Sequence, residues 1–292
     1  CTTIKGNRNI FDLSAPFRGT GGYLCHMADQ PASLPAHLVA LRKATGGIIP
    51  LSEGAFTIDG SKLFVPFNKA ADELNDRPTG SLLVEVQPFV VITSKDVLLL
   101  DAGLGFNDTA GGKMQLHENL ERAGIKPEQV TKVLMTHLHK DHAGGICLEA
   151  DHTSLSLPNA TYYIHKTELD FAMEKGLPSF IPDELQALQT SPQVHLLHDT
   201  EGTIDSYISY RHSGGHSPHH QVFWIREEGD TIFFGGDEAP QLQQMKVRYK
   251  ARYDFDPAKA MELRQQWWET GKLEGWQFLF YHDIKTPVYK AV

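Results

Sequence analysis

The run Thr136-His137-Leu138-His139-Lys140-Asp141-His142-Ala143-Gly144-Gly145 constrains this chain more than any other feature. Three imidazoles and a carboxylate in so short a stretch supply borderline and hard ligands, suited to zinc and also to manganese or iron. Histidines two residues apart after a strand can converge on one ion. Asp141 and His142, adjacent at the start of a new turn, point differently and can serve a second ion. The glycines behind them let the backbone pack closely. The bland reading of a His-rich loop is an exposed polar turn, and the chain has 15 histidines. The rest of the sequence has to decide between these readings.

Elsewhere, polar candidates stand at the ends of apolar strands. Val97–Leu100 ends at Asp101, and Lys132–Met135 runs straight into the histidine cluster. Gly215-His216-Ser217-Pro218 lies between strands expected at Tyr207–Arg211 and Val222–Ile225. Gly235-Gly236-Asp237 follows Thr231–Phe234, and His282 follows Gln277–Tyr281. Further strands are expected at Ala55–Ile58, Leu63–Val65, Leu82–Val86, Pro88–Thr93, Thr161–His165 and Val194–Leu197. The three from Leu82 to Leu100 read as neighbours. Helices are expected at Ala36–Lys43, Gln115–Ala123 and Lys166–Met173. Another is expected from Asp256-Pro257, an N-cap followed by proline, to Gly271. Alternating strands and helices with chemistry at strand ends is the pattern of an open α/β architecture.

In this order, the HxHxDH run, Asp101, the Gly-His turn, the Gly-Asp turn and the late histidine resemble the five motifs of the metallo-β-lactamase superfamily, over roughly residues 82–285. The resemblance implies an α/β fold of αβ/βα type, two mixed β-sheets flanked by helices, in a single domain spanning 1–292. Residues 1–80 would be a loop-rich N-terminal segment that shapes the pocket or a dimer contact. It also implies that His137, His139 and His216 hold one divalent ion, that Asp141, His142 and His282 hold a second, and that Asp237 bridges them. Asp101 would orient the ligand loop from behind. Two ions about 3.5–4 Å apart lower the pKa of a shared water toward neutrality, and the resulting hydroxide attacks a carbonyl or phosphoryl centre. Asp141 and Asp237 are then the catalytic carboxylates, and no Ser or Cys nucleophile is needed.

Departures from subfamily patterns narrow the expectation. A bridging aspartate at position 237 disfavours a true β-lactamase, and an acidic chain disfavours a transfer-RNA nuclease. The chain runs only ten residues past His282, too few for the helical domain of glyoxalase II. What remains resembles single-domain lactonases and methyl-parathion-type hydrolases, which share a connector like Gly124–Glu128. Pro240 stands where the acyl-homoserine lactonases carry a tyrosine, so the leaving-group acid is unassigned. The expected substrate is a small ester, lactone or phosphotriester. The competing expectation is a persulfide dioxygenase-like oxidoreductase using one iron on His137, His139 and His216.

The formal charge of −9 repels phosphate backbones and argues against a nucleic-acid partner. No apolar run is long enough for a transmembrane helix. Three cysteines make no disulfide framework. Cys1 would match a processed lipoprotein and hence export; otherwise a cytoplasmic location is expected. His219 and His220 read as ordinary, partly exposed imidazoles. At least one of Trp267 and Trp268 should be core. Arg248, Lys250 and Arg252 read as a solvated charged face, with a clamp for an anionic substrate as the sharper alternative.

Overall fold

A computed structural model describes residues 34–105, 113–148 and 153–291. Cys1, Cys25 and the first part of the N-terminal segment lie outside them. The chain begins with helix α1 (Ala36–Thr45) and strands β1 (Ile48–Pro50), β2 (Gly54–Ile58), β3 (Val65–Phe67) and β4 (Leu82–Val86). Next come β5 (Phe89–Ile92), β6 (Val97–Leu100), α2 (Gln115–Arg122), β7 (Lys132–Leu134) and the single turn α3 (Lys140–Ala143). Then follow β8 (Thr161–His165), α4 (Lys166–Lys175), α5 (Pro182–Thr190) and β9 (Val194–Leu197). The last part holds β10 (Glu201–Ile204), β11 (Ile208–His212), β12 (Gln221–Glu227), β13 (Asp230–Phe234), α6 (Leu242–Lys246), α7 (Pro257–Glu274), β14 (Gln277–Leu279) and β15 (Val288–Lys290).

Two six-stranded mixed sheets carry the fold, in the orders β1-β5-β6-β7-β8-β9 and β10-β11-β12-β13-β14-β15. The first is antiparallel at β1–β5–β6 and parallel from β6 to β9; the second is antiparallel except where β13 meets β14. The alternation of strand side chains explains the layering. In β6, Val97 and Leu99 join the core under the helices, while Leu98 and Leu100 face the other sheet. In β12, Phe223 and Ile225 face the first sheet, while Val222 and Trp224 pack outward under α7. A strand covered on both faces needs apolar residues at every position, which is why Val97–Leu100 reads as an unbroken hydrophobic run.

Several expectations need correction. β4 does not neighbour β5; it pairs with β2 in a separate three-stranded sheet, β3-β2-β4. The Gln87-Pro88 step lies between β4 and β5, and proline has no N–H to continue a ladder there. Gly271 does not stop α7. The helix runs on to Glu274 and ends at Gly275, which takes the left-handed conformation at φ 69°. A β-carbon on Gly271 would collide with the Phe278 ring, so that glycine serves the close packing of α7 on β14. The strand expected at Leu63–Val65 lies at Val65–Phe67. β1, β10, β15, α5 and α6 are additions to the elements expected from sequence. Both Trp267 and Trp268 are buried, with Trp267 against Phe233 and Trp224.

No helix among the described residues is long and apolar enough to cross a membrane.

Candidate metal centre

Four strand ends deliver the polar residues to one place. β6 ends at Asp101, β7 leads into Thr136–His142, β13 leads into the turn Gly236–Glu238, and β14 leads into Tyr281-His282. The Gly-His turn between β11 and β12 adds His216. Two glycine positions show why the local sequence is needed. Gly236 has φ +48°, and a β-carbon there would sit 2.6 Å from Thr136 Oγ1. Gly144 packs so tightly on Leu104 and Gly105 that any side chain would collide with backbone.

The sequence-predicted residues converge in two groups that share one carboxylate. His137 Nε2 lies 2.9 Å from His139 Nδ1, and His216 Nε2 lies 3.2 Å from the same atom. Asp237 Oδ2 approaches His216 Nε2 at 3.2 Å. On the other side, Asp237 Oδ1 lies 3.2 Å from His142 Nε2 and 2.9 Å from His282 Nε2. Asp141 Oδ2 is 3.4 Å from His282 Nε2 and 3.7 Å from His142 Nε2. Donor atoms each about 2.0–2.1 Å from one tetrahedral zinc lie roughly 3.3–3.4 Å apart, so both groups could hold such an ion. His142 Nε2 and Asp237 Oδ1 are buried and, despite these short separations, make no hydrogen bond of good geometry among the described residues. Orphaned buried polar atoms are costly, and a cation between them would remove that cost.

Protonation fits the same use. Burial holds His137 and His139 well below the ordinary imidazole range, helped by the neighbouring histidines, so both keep the lone pair a metal needs. Burial also disfavours the His142 imidazolium, but Asp237, Asp141 and Asp101 outweigh it and push the pKa well above the usual value. Asp237 is ionised: burial opposes its charge, but His282, His142 and His216 hold it well below the carboxylate range. The Asp237 side therefore attracts positive charge, whether from protons or from metal ions.

Three of the imidazoles are oriented by a partner at the outer nitrogen. Asp101 Oδ2 lies 2.8 Å from His142 Nδ1, and Asp101 also accepts from Thr136 N and Thr136 Oγ1 at 2.7 Å. Asp101 has φ +55°, in the left-handed region that aspartate adopts more readily than most side-chain-bearing residues. His282 Nδ1 lies 2.6 Å from the Glu85 carbonyl oxygen, and His216 Nδ1 lies 3.1 Å from Asp254 Oδ1.

Several residues that hold the site escape the sequence reading. Glu238 accepts from Ser213 Oγ at 2.7 Å and from His216 N at 3.1 Å, fixing the Gly-His turn. Glu168 accepts from Leu138 N at 2.9 Å and from Ser217 Oγ at 3.4 Å, tying together the two loops that carry the first group. Arg264 is buried and donates to the Glu238 and Tyr249 carbonyl oxygens. His220 is fully buried, packed on the His137 ring at 4.9 Å, and not the part-exposed imidazole expected. Lys62 and Phe64 bring the segment before residue 80 to this region. The Phe64 ring lies 5.8 Å from the Lys140 ammonium, and the charge of Lys62 adds to the forces that keep His139 neutral.

Comparisons with known proteins identify the family and the fold. The family model described as metallo-beta-lactamase superfamily matches residues 83–267. A probable metal-dependent hydrolase from Staphylococcus aureus superposes with a TM-score of 0.68 at 23% identity, covering 83% of this chain and 91% of that one. AidC, a dizinc quorum-quenching lactonase, superposes at 0.62 with 19% identity over 82% of this chain and 88% of its own. Among curated proteins, an atrochrysone carboxyl ACP thioesterase from Passalora fulva is 29% identical over 51% of this chain and 36% of its own length. The lactamase-like protein notP from Aspergillus sp. (strain MF297-2) is 30% identical over 52% of this chain and 40% of its own. The matched region is thus two fifths or less of the length of these two relatives. With its strand-end histidines and aspartates gathered in motif order, the chain belongs to the metallo-β-lactamase superfamily.

Proposed function

We propose that the protein is a hydrolase of small esters, thioesters, lactones or phosphotriesters that uses two divalent metal ions, with zinc the best fit to the ligand set. His137, His139, His216 and Asp237 Oδ2 would hold one ion, and Asp141, His142, His282 and Asp237 Oδ1 the other. Manganese or iron suits the same donors. Bound together, two such ions activate water at neutral pH and polarise the oxygen of the scissile group.

The chain's own residues do the rest. Asp254, Asp101 and the Glu85 carbonyl fix the ring orientations of His216, His142 and His282. Glu168 and Glu238 lock the loops on which the first group stands. Tyr253 is half-buried with its ring 5.9 Å from that of His216. Its hydroxyl accepts from Gln244 Nε2 at 3.0 Å, which leaves its own proton free to donate to a substrate oxygen. It is our choice for the role left open by Pro240.

The observation that carries this reading is the split of Asp237, with one oxygen toward His216 and the other toward His142 and His282. A one-iron oxidoreductase on His137, His139 and His216 would leave the Asp141–His142–His282 group without a task. The thioesterase and lactonase relatives support ester-like substrates. The test is a panel of lactones, aryl esters, thioesters and phosphotriesters with zinc- and manganese-loaded protein, beside metal analysis. Turnover with two metals per chain supports the proposal; one iron and no hydrolysis overturns it.

A further inference from the structure

Five cations stand on or beside the segments that carry the candidate metal groups, in a chain whose formal net charge is −9. On the His216 side, the segment Arg248-Tyr249-Lys250-Ala251-Arg252 leads directly into Tyr253, Asp254 and Phe255, and Phe255 N donates to the His216 carbonyl oxygen at 3.0 Å. Arg264 pins the segment through the Tyr249 carbonyl, and Ala251 is buried, while Arg248, Lys250 and Arg252 are exposed. On the His139 side stand Lys62 and Lys140. None of these five cations makes an ion pair among the described residues. Phe255, 67% exposed, and Tyr249, 41% exposed, add apolar surface beside them.

Uncompensated cations next to a metal centre are unfavourable, because they repel the ions that the centre would hold. In an acidic protein they also create a local field that attracts an anion. We propose that Arg248, Lys250 and Arg252, with Lys62 and Lys140, bind an anionic group, phosphate or carboxylate, on the part of the substrate that lies outside the cleft. The apolar Tyr249 and Phe255 then contact the linker between that group and the scissile bond. This inference rests on the hydrolase reading and names a substrate class within it.

The experiment compares two thioesters of the same acyl group, one of coenzyme A, which carries phosphates, and one of N-acetylcysteamine, which is neutral. Thiol release reads turnover. In the wild type, kcat/KM for the coenzyme A thioester should fall as sodium chloride rises from about 0.05 to about 0.5 M, because salt screens exposed charges. The variant Arg248→Gln/Lys250→Gln/Arg252→Gln should raise KM for that thioester about tenfold or more and leave the neutral one within about twofold. Equal effects on both thioesters, or on neither, overturn the proposal. Adenosine 3′,5′-bisphosphate serves as a probe that does not depend on catalysis: it should bind wild type at low salt and the triple variant about tenfold more weakly. Wild type that binds the bisphosphate but cleaves neither these thioesters nor any substrate of the panel supports the anion site and counts against the hydrolase reading. Wild type that cleaves the neutral thioester but fails to bind the bisphosphate overturns the anion site alone.

Discussion

His216 Nδ1 faces Asp254 Oδ1 at 3.1 Å, and both side chains are buried. The carboxylate fixes the ring so that Nε2 points at His139 and Asp237. Asp254→Asn keeps the shape but loses the charge, and disturbed partners of metal-ligating histidines typically cost 10–100-fold in affinity or activity. We expect the first metal to weaken by about that factor, read by competition with a chelator, while the second stays. Asp254→Ala should also lower the melting temperature, because Arg264 Nη1 lies 3.6 Å from Asp254 Oδ2 and would be left as a buried charge without its carboxylate.

Gly236→Ala tests the approach of two loops. At φ +48° an alanine is strained, and its methyl would press on Thr136, whose hydroxyl donates to Asp101. Left-handed backbone alone costs roughly 1–2 kcal/mol. Loss of both stability and metal affinity is expected; an unchanged melting temperature and metal content would show that the turn is not under this constraint.

Stability should depend on pH through a histidine away from the metal groups. Burial, with His165, His219 and Lys259 nearby, lowers the His212 pKa to about 4. The unfolded chain binds the proton near the ordinary value of about 6.5. Between these values the unfolded state carries more protons, so stability rises with pH and is lost as pH falls from about 6.5 toward 4. For this half-buried ring the loss is about 1 kcal/mol after discounting for solvent. His212→Gln should flatten the slope of melting temperature against pH in that window relative to wild type; parallel slopes would exclude His212 as the source.

Trp267→Ala separates scaffold from site. The indole packs against Phe233 at 5.0 Å and Trp224 at 6.2 Å in the core beneath α7. Large-to-alanine changes in such cores cost about 3–5 kcal/mol. Denaturant unfolding should show that loss with metal content unchanged in the folded variant. A stable variant with altered metal content would place Trp267 in the site.

How much is legible in the sequence follows from the range of the forces involved. Strands such as Thr161–His165 and the run Val97–Leu100 announce themselves through local apolar patterning, and the seven metal-binding candidates stand in motifs next to them. Asp254, Glu238 and Glu168 carry no such local signature. Each is a single acidic residue whose meaning comes from a partner 22 to 38 residues away, as for Glu238 with His216 and Asp254 with His216. His220 reads as exposed because its sequence neighbours are polar; tertiary packing on His137 buries it. Gly271 reads as a helix stop because its reason, the Phe278 ring, lies on another element.

The central claim is that Asp237 joins two metal positions, and Asp237→Asn tests it most directly. The change is nearly isosteric, so the fold should persist by circular dichroism. Elemental analysis of zinc-loaded wild type should give about two ions per chain, and the variant about one. Turnover of the best panel substrate should fall at least 10–100-fold, as disturbed metal shells typically cause. A variant that keeps both ions and wild-type turnover would show that Asp237 is not the bridge.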